Sequence, residues 1–173
     1  CGHRSFGEKK IKEIEKKWPL LKAKFTDVNL SFIGSIQSRK VKKICELCDV
    51  IHSVDREKIV KLISELKFQG INIPKLFLQV NIGLESQKSG VHPNDVKEFI
   101  EMSLKKYHIS FEGLMCLPPE GKDPKEYFDQ LKTLSLSNNL EKLSMGMSDD
   151  YLSALESGAT HIRVGSSIFG ERT

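Results

Sequence analysis

The sequence predicts an α/β fold, a (β/α)8 barrel of the TIM type with about seven βα units. Short apolar runs alternate with amphipathic segments of helical period, a pattern typical of repeated βα units around a parallel sheet. The 173 residues, 39% of them hydrophobic, can bury one sizeable core, so we expect residues 1–173 to form a single, incomplete barrel domain. Eight units usually need about 250 residues, which predicts that one unit is missing. A doubly wound sheet is the alternative, although its G-x-G-x-x-G motif does not occur.

Seven segments have the composition of strands. In chain order they are SFGE, LSFIGSI, VIHSV, KLFLQVNI, FEGLMCL, KLSMGM and HIRVGSSI. The first helix has Ile11 and Ile14 on one side and is predicted to break at Pro19, because proline disrupts the helical hydrogen bonds. Ser38 is predicted to begin the next helix and Gly70 to end the third. The helical residues predicted to face the core are Val41, Ile44, Cys45, Cys48, Ile59, Leu62, Ile63, Leu66, Phe128, Leu131 and Leu134.

Composition argues against several classes of protein. The net charge of +4 comes from lysines interleaved with acids, as in GEKKIKEIEKKW, which indicates solvated helix faces and not a nucleic-acid surface. No apolar run approaches the ~20 residues of a membrane span. The four cysteines fit a reducing cytoplasm. Cys45 and Cys48 lie mid-helix without a second ligand pair, so we expect core packing and no metal site.

Two segments near the C-terminus, SMGMSDD (144–150) and RVGSS (163–167), look adapted to a ligand. Strand alternation predicts that Ser144, Gly146 and Ser148 share one face, opposite Leu143, Met145 and Met147. The same rule places Arg163 with Gly165, and Asn81 with Gln79. We assign these small and polar residues to the barrel interior, near the C-terminal ends of the strands.

These segments also predict a phosphate site. Ser148 is expected to cap the helix that follows, and Gly165 and Ser166 begin another turn directly after the last strand. Helix N-termini expose free N–H groups, and barrels often bind phosphate after their last two strands. Arg163 would lie beside this cradle. The alternative is that Ser148 is only a cap, Gly165 only a turn, and Arg163 only an ion-pair partner of Asp149, Asp150 or Glu171.

The sequence resembles the pyridoxal-phosphate homeostasis proteins of the YggS/PROSC type, whose fold is related to the alanine racemase barrel domain. The resemblance rests on the segments FGE (6–8), FIGSIQSRKVK (32–42), IHSVD (51–55), QVNIGLESQKSG (79–90), GLMCLPPEG (113–121), LSMGMSDDY (143–151) and GATHIRVGSSIFGER (158–172). It implies a cytoplasmic, non-catalytic protein that binds pyridoxal 5'-phosphate and helps control vitamin B6 levels. It also implies that Ser148, Gly165 and Ser166 hold the phosphate and that Arg163 lies near the pyridine nitrogen.

The chain departs from this family at the cofactor anchor. The family's first strand carries the lysine that forms the Schiff base with the cofactor, and this strand and its lysine are not in the chain. The family's FGEN reads FGEK here, so Lys9 stands where an asparagine points at the cofactor, and Ser31 and Ser35 replace histidines. Lys9 could act as a substitute amine, although a lysine at a strand end more often reaches solvent.

Two other functions and one assembly state follow as alternatives. The chain could be a racemase-like enzyme dependent on pyridoxal phosphate, but the sequence offers no acid/base pair for it. It could also bind another phosphorylated metabolite. Without the first strand, two strand edges would be open, so we expect a monomer or weak self-association through these edges.

Overall fold

Seven parallel strands alternate with seven helices in the computed structural model, which describes residues 2–170. The strands are Ser5–Glu8 (β1), Asn29–Phe32 (β2), Val50–Val54 (β3), Lys75–Val80 (β4), Gly113–Cys116 (β5), Lys142–Met147 (β6) and His161–Arg163 (β7). The helices are Ile11–Lys24 (α1), Val41–Leu47 (α2), Glu57–Phe68 (α3), Val96–Tyr107 (α4), Pro124–Ser137 (α5), Tyr151–Glu156 (α6) and Ser166–Phe169 (α7). Two short 3-10 turns, Ser38–Lys40 and Pro93–Asp95, lead into α2 and α4.

The sheet runs in sequence order from β1 to β7, and every neighbouring pair is parallel. This order has no reversal, so it excludes the doubly wound alternative and confirms the TIM-type barrel. Within residues 2–170, β1 and β7 do not pair with each other and are the two edge strands. Self-association through these edges stays a prediction.

Apolar side chains lie on both sides of the curved sheet. The main core joins strand and helix residues, among them Leu30, Ile63 and Phe128, and therefore lies between the sheet and the helices. A second cluster consists of Val50, Phe77 and Met115 with Leu117 against it. Its three buried members all come from strands, so it fills the interior of the barrel, as side chains do in this fold. None of the helices within residues 2–170 is long and apolar enough to cross a membrane.

Most of the predicted core is confirmed. Of the helical residues predicted to face it, all are buried except Leu62 and Leu134, which are partly buried and pack against the same cluster. The predicted break at Pro19 is wrong, because α1 continues through it to Lys24. Ile14 and Trp18 of this helix are buried, so packing of the apolar face outweighs the hydrogen bond that proline removes.

The strand ends were predicted less well than the strands themselves. β1, β3 and β6 have the predicted bounds, but β2, β4 and β5 are shorter. The largest error is at the last strand, where HIRVGSSI was predicted as one strand through Ile168. The structure ends β7 at Arg163 and starts α7 at Ser166, since Gly165 leaves the extended conformation with φ −128° and ψ −73°.

Candidate functional site

The two small-residue segments meet at the C-terminal end of the barrel. Ser148 lies just after β6 and Gly165 just after β7. The backbone N–H of Gly165 donates to Ser148 Oγ at 3.2 Å, and that of Ser167 approaches the same oxygen at 3.5 Å. The two segments thus meet as the sequence predicted, although both backbone donors come from the loop after β7 and point to the side chain of the residue after β6. Convergence of backbone donors from both strand ends on one anion stays a prediction.

Ser148 does not cap the following helix, contrary to the sequence prediction. The cap position of α6 is Asp150, whose side chain makes no capping hydrogen bond. Asp150 Oδ1 instead accepts from the N–H of Met147 at 2.5 Å, and the N–H of Asp150 returns to the carbonyl of Met147. This turn places Ser148 before the helix starts, which leaves its hydroxyl to bind the loop after β7.

A bulge at Gly146 breaks the predicted alternation of β6. Ser144 pairs with His161 and Met147 pairs with Arg163, so three steps along β6 match two along β7. Gly146 has φ +89°, and a Cβ there would lie 2.6 Å from the Cβ of Ala154 in α6. The prediction that Gly146 faces the interior with Ser144 is therefore wrong. Gly146 faces α6, because the bulge rotates the strand.

Arg163 lies inside the barrel and is fixed by two neighbouring strands. Its NH1 group donates to Ser144 Oγ at 2.7 Å, and its NH2 group donates to the carbonyl of Cys116 at 2.8 Å. Ser144 Oγ is also 2.7 Å from His52 Nδ1. His52 belongs to β3 and Ser144 to β6, so this contact crosses the interior.

Aromatic rings pack around this contact. The His52 ring stacks on Phe77 with centroids 4.6 Å apart and planes 2° from parallel. His161 lies edge-on to both rings, at 5.5 Å from His52 and 5.0 Å from Phe77. These contacts restrict how far the His52 ring can turn.

The Arg163 guanidinium places a positive charge inside the barrel, and it forms no ion pair there within residues 2–170. Burial lowers the pKa of Arg163 below its ordinary value, and the Cys116 and Asp150 side chains oppose this shift. No carboxylate of residues 2–170 forms an ion pair with Arg163. This excludes the predicted alternative of a pair with Asp149 or Asp150, while Glu171 lies outside the described residues. Burying a cation without an ion-pair partner is costly, so an anionic ligand would be favoured here.

Both interior histidines are neutral at physiological pH. The pKa of His52 is lowered to about 3, first by burial and then by the charges of Arg163 and His161. The pKa of His161 is also lowered by burial, and by Lys142 and Lys75. Neither ring adds to the positive charge of the guanidinium.

A cleft of about 220 Å³ opens above the ends of β4 and β5. It is lined by Ser35, Gln79, Val80, Asn81, Gln87, Lys88, Ser89 and Leu117. Because all strands are parallel, the cleft and the Ser148–Gly165 junction lie at the same end of the barrel. It is smaller than the 300–1,000 Å³ that is usual for ligand pockets.

Asn81 lies in this cleft, but its amide holds the adjacent loop. Asn81 Nδ2 donates to the carbonyls of Glu85 and Lys88 at 2.9 and 3.3 Å, and its Oδ1 accepts from the N–H of Glu85 at 3.2 Å. Lys88 pairs with Glu85 at 2.5 Å and donates to the carbonyl of Pro118 at 2.9 Å. A direct contact between Asn81 and a ligand therefore stays a prediction.

Lys9 and Ser166 are exposed at the same end of the barrel. Lys9 follows β1 and Ser166 starts α7. None of the hydrogen bonds formed within residues 2–170 joins the Lys9 side chain to Ser148, Gly165 or Arg163. The role of Lys9 in binding is a prediction that the structure leaves open.

Three residues around Arg163 were missed as functional candidates. The Cys116 carbonyl contacts Arg163, whereas His52 contacts Ser144 and Phe77 stacks on His52. One signal was present, since His52 is a polar residue of the strand VIHSV and shares a strand face with Val50, which lies in the interior. The Cys116 carbonyl had no such signal.

The cysteines pack in the core as predicted. Cys45 and Cys48 are buried, and burial raises both thiol pKa values to about 12. Cys116 is also buried, with its pKa raised to about 12. Within residues 2–170 no group of three or more His, Cys, Asp or Glu side chains could hold a metal ion.

Comparison with known proteins places the chain in a family. Residues 1–173 match the model of the alanine racemase N-terminal domain. A pyridoxal phosphate homeostasis protein of Aquifex aeolicus is 36% identical over 181 residues, covering 99% of this chain and 78% of that one. One of Pseudomonas aeruginosa is 38% identical over 179 residues, covering 99% and 76%. The chain belongs to the pyridoxal phosphate homeostasis protein family.

Solved structures agree with membership of the pyridoxal phosphate homeostasis family. PipY of Synechococcus elongatus PCC7942, solved with pyridoxal phosphate bound, superposes with a TM-score of 0.87 and 32% identity, covering 98% of this chain and 82% of PipY. An alanine racemase of Clostridium difficile superposes with a TM-score of 0.71 at 13% identity, covering 98% and 45%. At that identity the racemase shows the shared fold alone.

The bulge at Gly146 generates a stability prediction. Gly146→Ala should lower the free energy of unfolding by about 2–4 kcal/mol, because the new Cβ meets Ala154 and the positive φ is unfavourable. Gly121→Ala is the control, since Gly121 has φ +72° with nothing within 4 Å, and should cost only about 1 kcal/mol. Urea unfolding measures both. Equal losses would contradict the close approach of β6 to α6.

The low pKa of His52 predicts pH-dependent stability. An unfolded histidine titrates near 6.5 and folded His52 near 3, so only the unfolded chain takes up this proton between those values. The free energy of unfolding should fall below about pH 6.5, by up to about 1.4 kcal/mol per pH unit. His52→Asn should show a shallower fall than the wild-type chain or the exposed-site variant His108→Asn in urea unfolding. Equal slopes in all three would show that His52 is not held neutral.

Proposed function

We propose that the chain binds pyridoxal 5'-phosphate and contributes to vitamin B6 homeostasis as a carrier without turnover of its own. The observation that carries this proposal is the Arg163 guanidinium, buried without an ion-pair partner within residues 2–170 and two residues from the Ser148–Gly165 junction. Pyridoxal phosphate is an anion of suitable charge. The ligand seen in PipY and the names of the relatives support the same choice.

The residues at the strand ends fit the phosphate group. Gly165 and Ser167 already direct their N–H groups to one oxygen, Ser148 Oγ. A Cβ built on Gly165 would meet nothing within 4 Å, so the backbone there is open to a ligand. We propose that Ser148, Gly165 and Ser166 hold the phosphate.

Arg163 would face the ring of the ligand. When bound, pyridoxal phosphate supplies an electron sink for carbanions, most strongly when its ring nitrogen is protonated. Arg163 can donate hydrogen bonds but retains its proton, so it would leave that nitrogen unprotonated. This favours carriage of the cofactor over carbanion chemistry.

The racemase-like alternative has weaker support. The racemase superposition is at 13% identity and shows the fold alone. Lys88, which lines the cleft, forms a salt bridge with Glu85 and donates a hydrogen bond to the carbonyl of Pro118. Turnover of alanine enantiomers by the chain with added pyridoxal phosphate would favour this alternative.

We also propose a cytoplasmic location and a small phosphorylated cofactor as the partner. Cys45, Cys48 and Cys116 are free thiols, as expected in a reducing compartment. The open edges of β1 and β7 are compatible with a monomer or with weak self-association.

Equilibrium dialysis tests the proposed ligand. The chain should bind pyridoxal phosphate more tightly than inorganic phosphate, and Arg163→Met and Ser148→Ala should each weaken binding about 10- to 100-fold, as loss of a hydrogen bond to a charged group does. Arg4→Met and Ser110→Ala, at the opposite end of the strands, are controls that should leave binding unchanged. Equal affinity for both ligands would favour a site for another phosphorylated metabolite.

Covalent attachment tests the role of Lys9. We expect pyridoxal phosphate to bind without a covalent link to Lys9, because this side chain is exposed and reaches solvent. Borohydride reduction after incubation with the cofactor, followed by peptide mapping, measures the link. Label on the Lys9 peptide, absent in Lys9→Gln, would show that Lys9 is the substitute amine.

A further inference from the structure

We propose that His52 is a positioning residue for Arg163 and acts through the hydroxyl of Ser144. This inference rests on the proposed function, in which Arg163 faces the ligand. His52 itself lies below the guanidinium, in β3, and has no contact with the Ser148–Gly165 junction.

Counting donors and acceptors fixes the direction of the hydrogen bonds among Arg163, Ser144 and His52. Arg163 can only donate, so Ser144 Oγ accepts from NH1. Ser144 is fully buried and its own proton needs an acceptor. Within residues 2–170 the acceptor in reach is His52 Nδ1, at 2.7 Å. The hydrogen bonds therefore run from Arg163 to Ser144 to His52.

This direction assigns the tautomer of His52. If Nδ1 accepts, the ring proton of neutral His52 is on Nε2. Nε2 has no partner within residues 2–170 in either tautomer. The opposite tautomer would in addition leave the Ser144 hydroxyl proton without an acceptor, whereas the assigned tautomer leaves only Nε2 unsatisfied. The assigned tautomer is the one that leaves fewer buried polar groups unsatisfied.

The surroundings make His52 a rigid acceptor. Phe77 stacks on one face of its ring and His161 contacts its edge, so Nδ1 stays directed at Ser144. The Cys116 carbonyl holds the other arm of the guanidinium. Arg163 is thereby fixed from β5 and β6, and its remaining N–H groups are left for a ligand.

Two substitutions at position 52 separate the acceptor from the ring. His52→Phe keeps an aromatic ring against Phe77 and His161 but removes the acceptor. His52→Asn removes the ring but keeps a side-chain acceptor near Nδ1. If His52 only packs in the interior, His52→Phe should retain ligand affinity better than His52→Asn. If His52 positions Arg163, His52→Asn should retain ligand affinity better than His52→Phe.

Equilibrium dialysis with pyridoxal phosphate and with inorganic phosphate gives the first readout. His52→Phe and Ser144→Ala should each weaken pyridoxal phosphate binding about tenfold, and the double variant should be no worse than Ser144→Ala alone. His52→Asn should stay within about threefold of the wild-type chain. Phosphate affinity should change less than about twofold in all of them, since His52 acts on Arg163 alone.

Nitrogen-15 NMR of the chain without added ligand gives the second readout. The wild-type His52 ring should be protonated on Nε2, and the Arg163 side-chain N–H signals should be resolved in wild type and His52→Asn but exchange-broadened in His52→Phe and Ser144→Ala. If the wild-type chain binds no pyridoxal phosphate, the proposed function is overturned. The NMR signals of His52 and Arg163 then test the positioning role of His52 without any binding measurement. Any one of four results would overturn the positioning role of His52. These are a ring proton on Nδ1, wild-type affinity in His52→Phe, equal losses of affinity in both His52 variants, and additive losses in the double variant.

Discussion

The curvature of the parallel sheet is the constraint on which the site depends. His52 and Ser144 come from strands that are three positions apart in the sheet, yet their side chains are 2.7 Å apart. In a flat sheet, at nearly 5 Å per strand, they would be about 14 Å apart. Closing the sheet brings them together and removes water from Arg163, which lowers its pKa and makes hydrogen bonds to its guanidinium stronger. The same closure leaves the guanidinium with carbonyl and hydroxyl partners and without an ion-pair partner within residues 2–170.

Gly146 adapts β6 to two different neighbours along its length. Before the bulge, Ser144 faces the interior and holds Arg163. At the bulge the backbone turns toward α6, and beyond it Ser148 reaches the loop after β7. An unbulged strand would keep strict alternation, and Met147 would then face outward and not pair with Arg163. One glycine thereby connects the interior contact at Ser144 to the Ser148–Gly165 junction.

The parts of the structure that follow from local pattern were predictable from the sequence. Apolar runs located all seven strands, and helical spacing located the buried faces of α2, α3 and α5, because both depend on residues close together in the chain. The meeting of Ser148 with Gly165 was also predictable, since parallel strands end at the same face. The errors at Gly146, Ser148 and Pro19 have a different origin. The bulge at Gly146 depends on the approach of α6 at Ala154, and the position of Ser148 depends on its contact with the loop after β7. Pro19 is tolerated because the apolar face of its helix packs in the core. No local pattern contains these contacts.

The arrangement of donors around the site argues for holding a ligand over transforming it. A general acid or base needs a pKa near the working pH and freedom to exchange its proton with the substrate. His52 is far from that condition, with a pKa of about 3 and a ring held between Phe77 and His161. Arg163 does not release a proton, and Lys88 is paired with Glu85. Each of these groups is held in one place by its contacts. A site whose donors are already fixed in place loses little entropy when an anion binds, and this is the property that a carrier of a reactive phosphorylated cofactor requires.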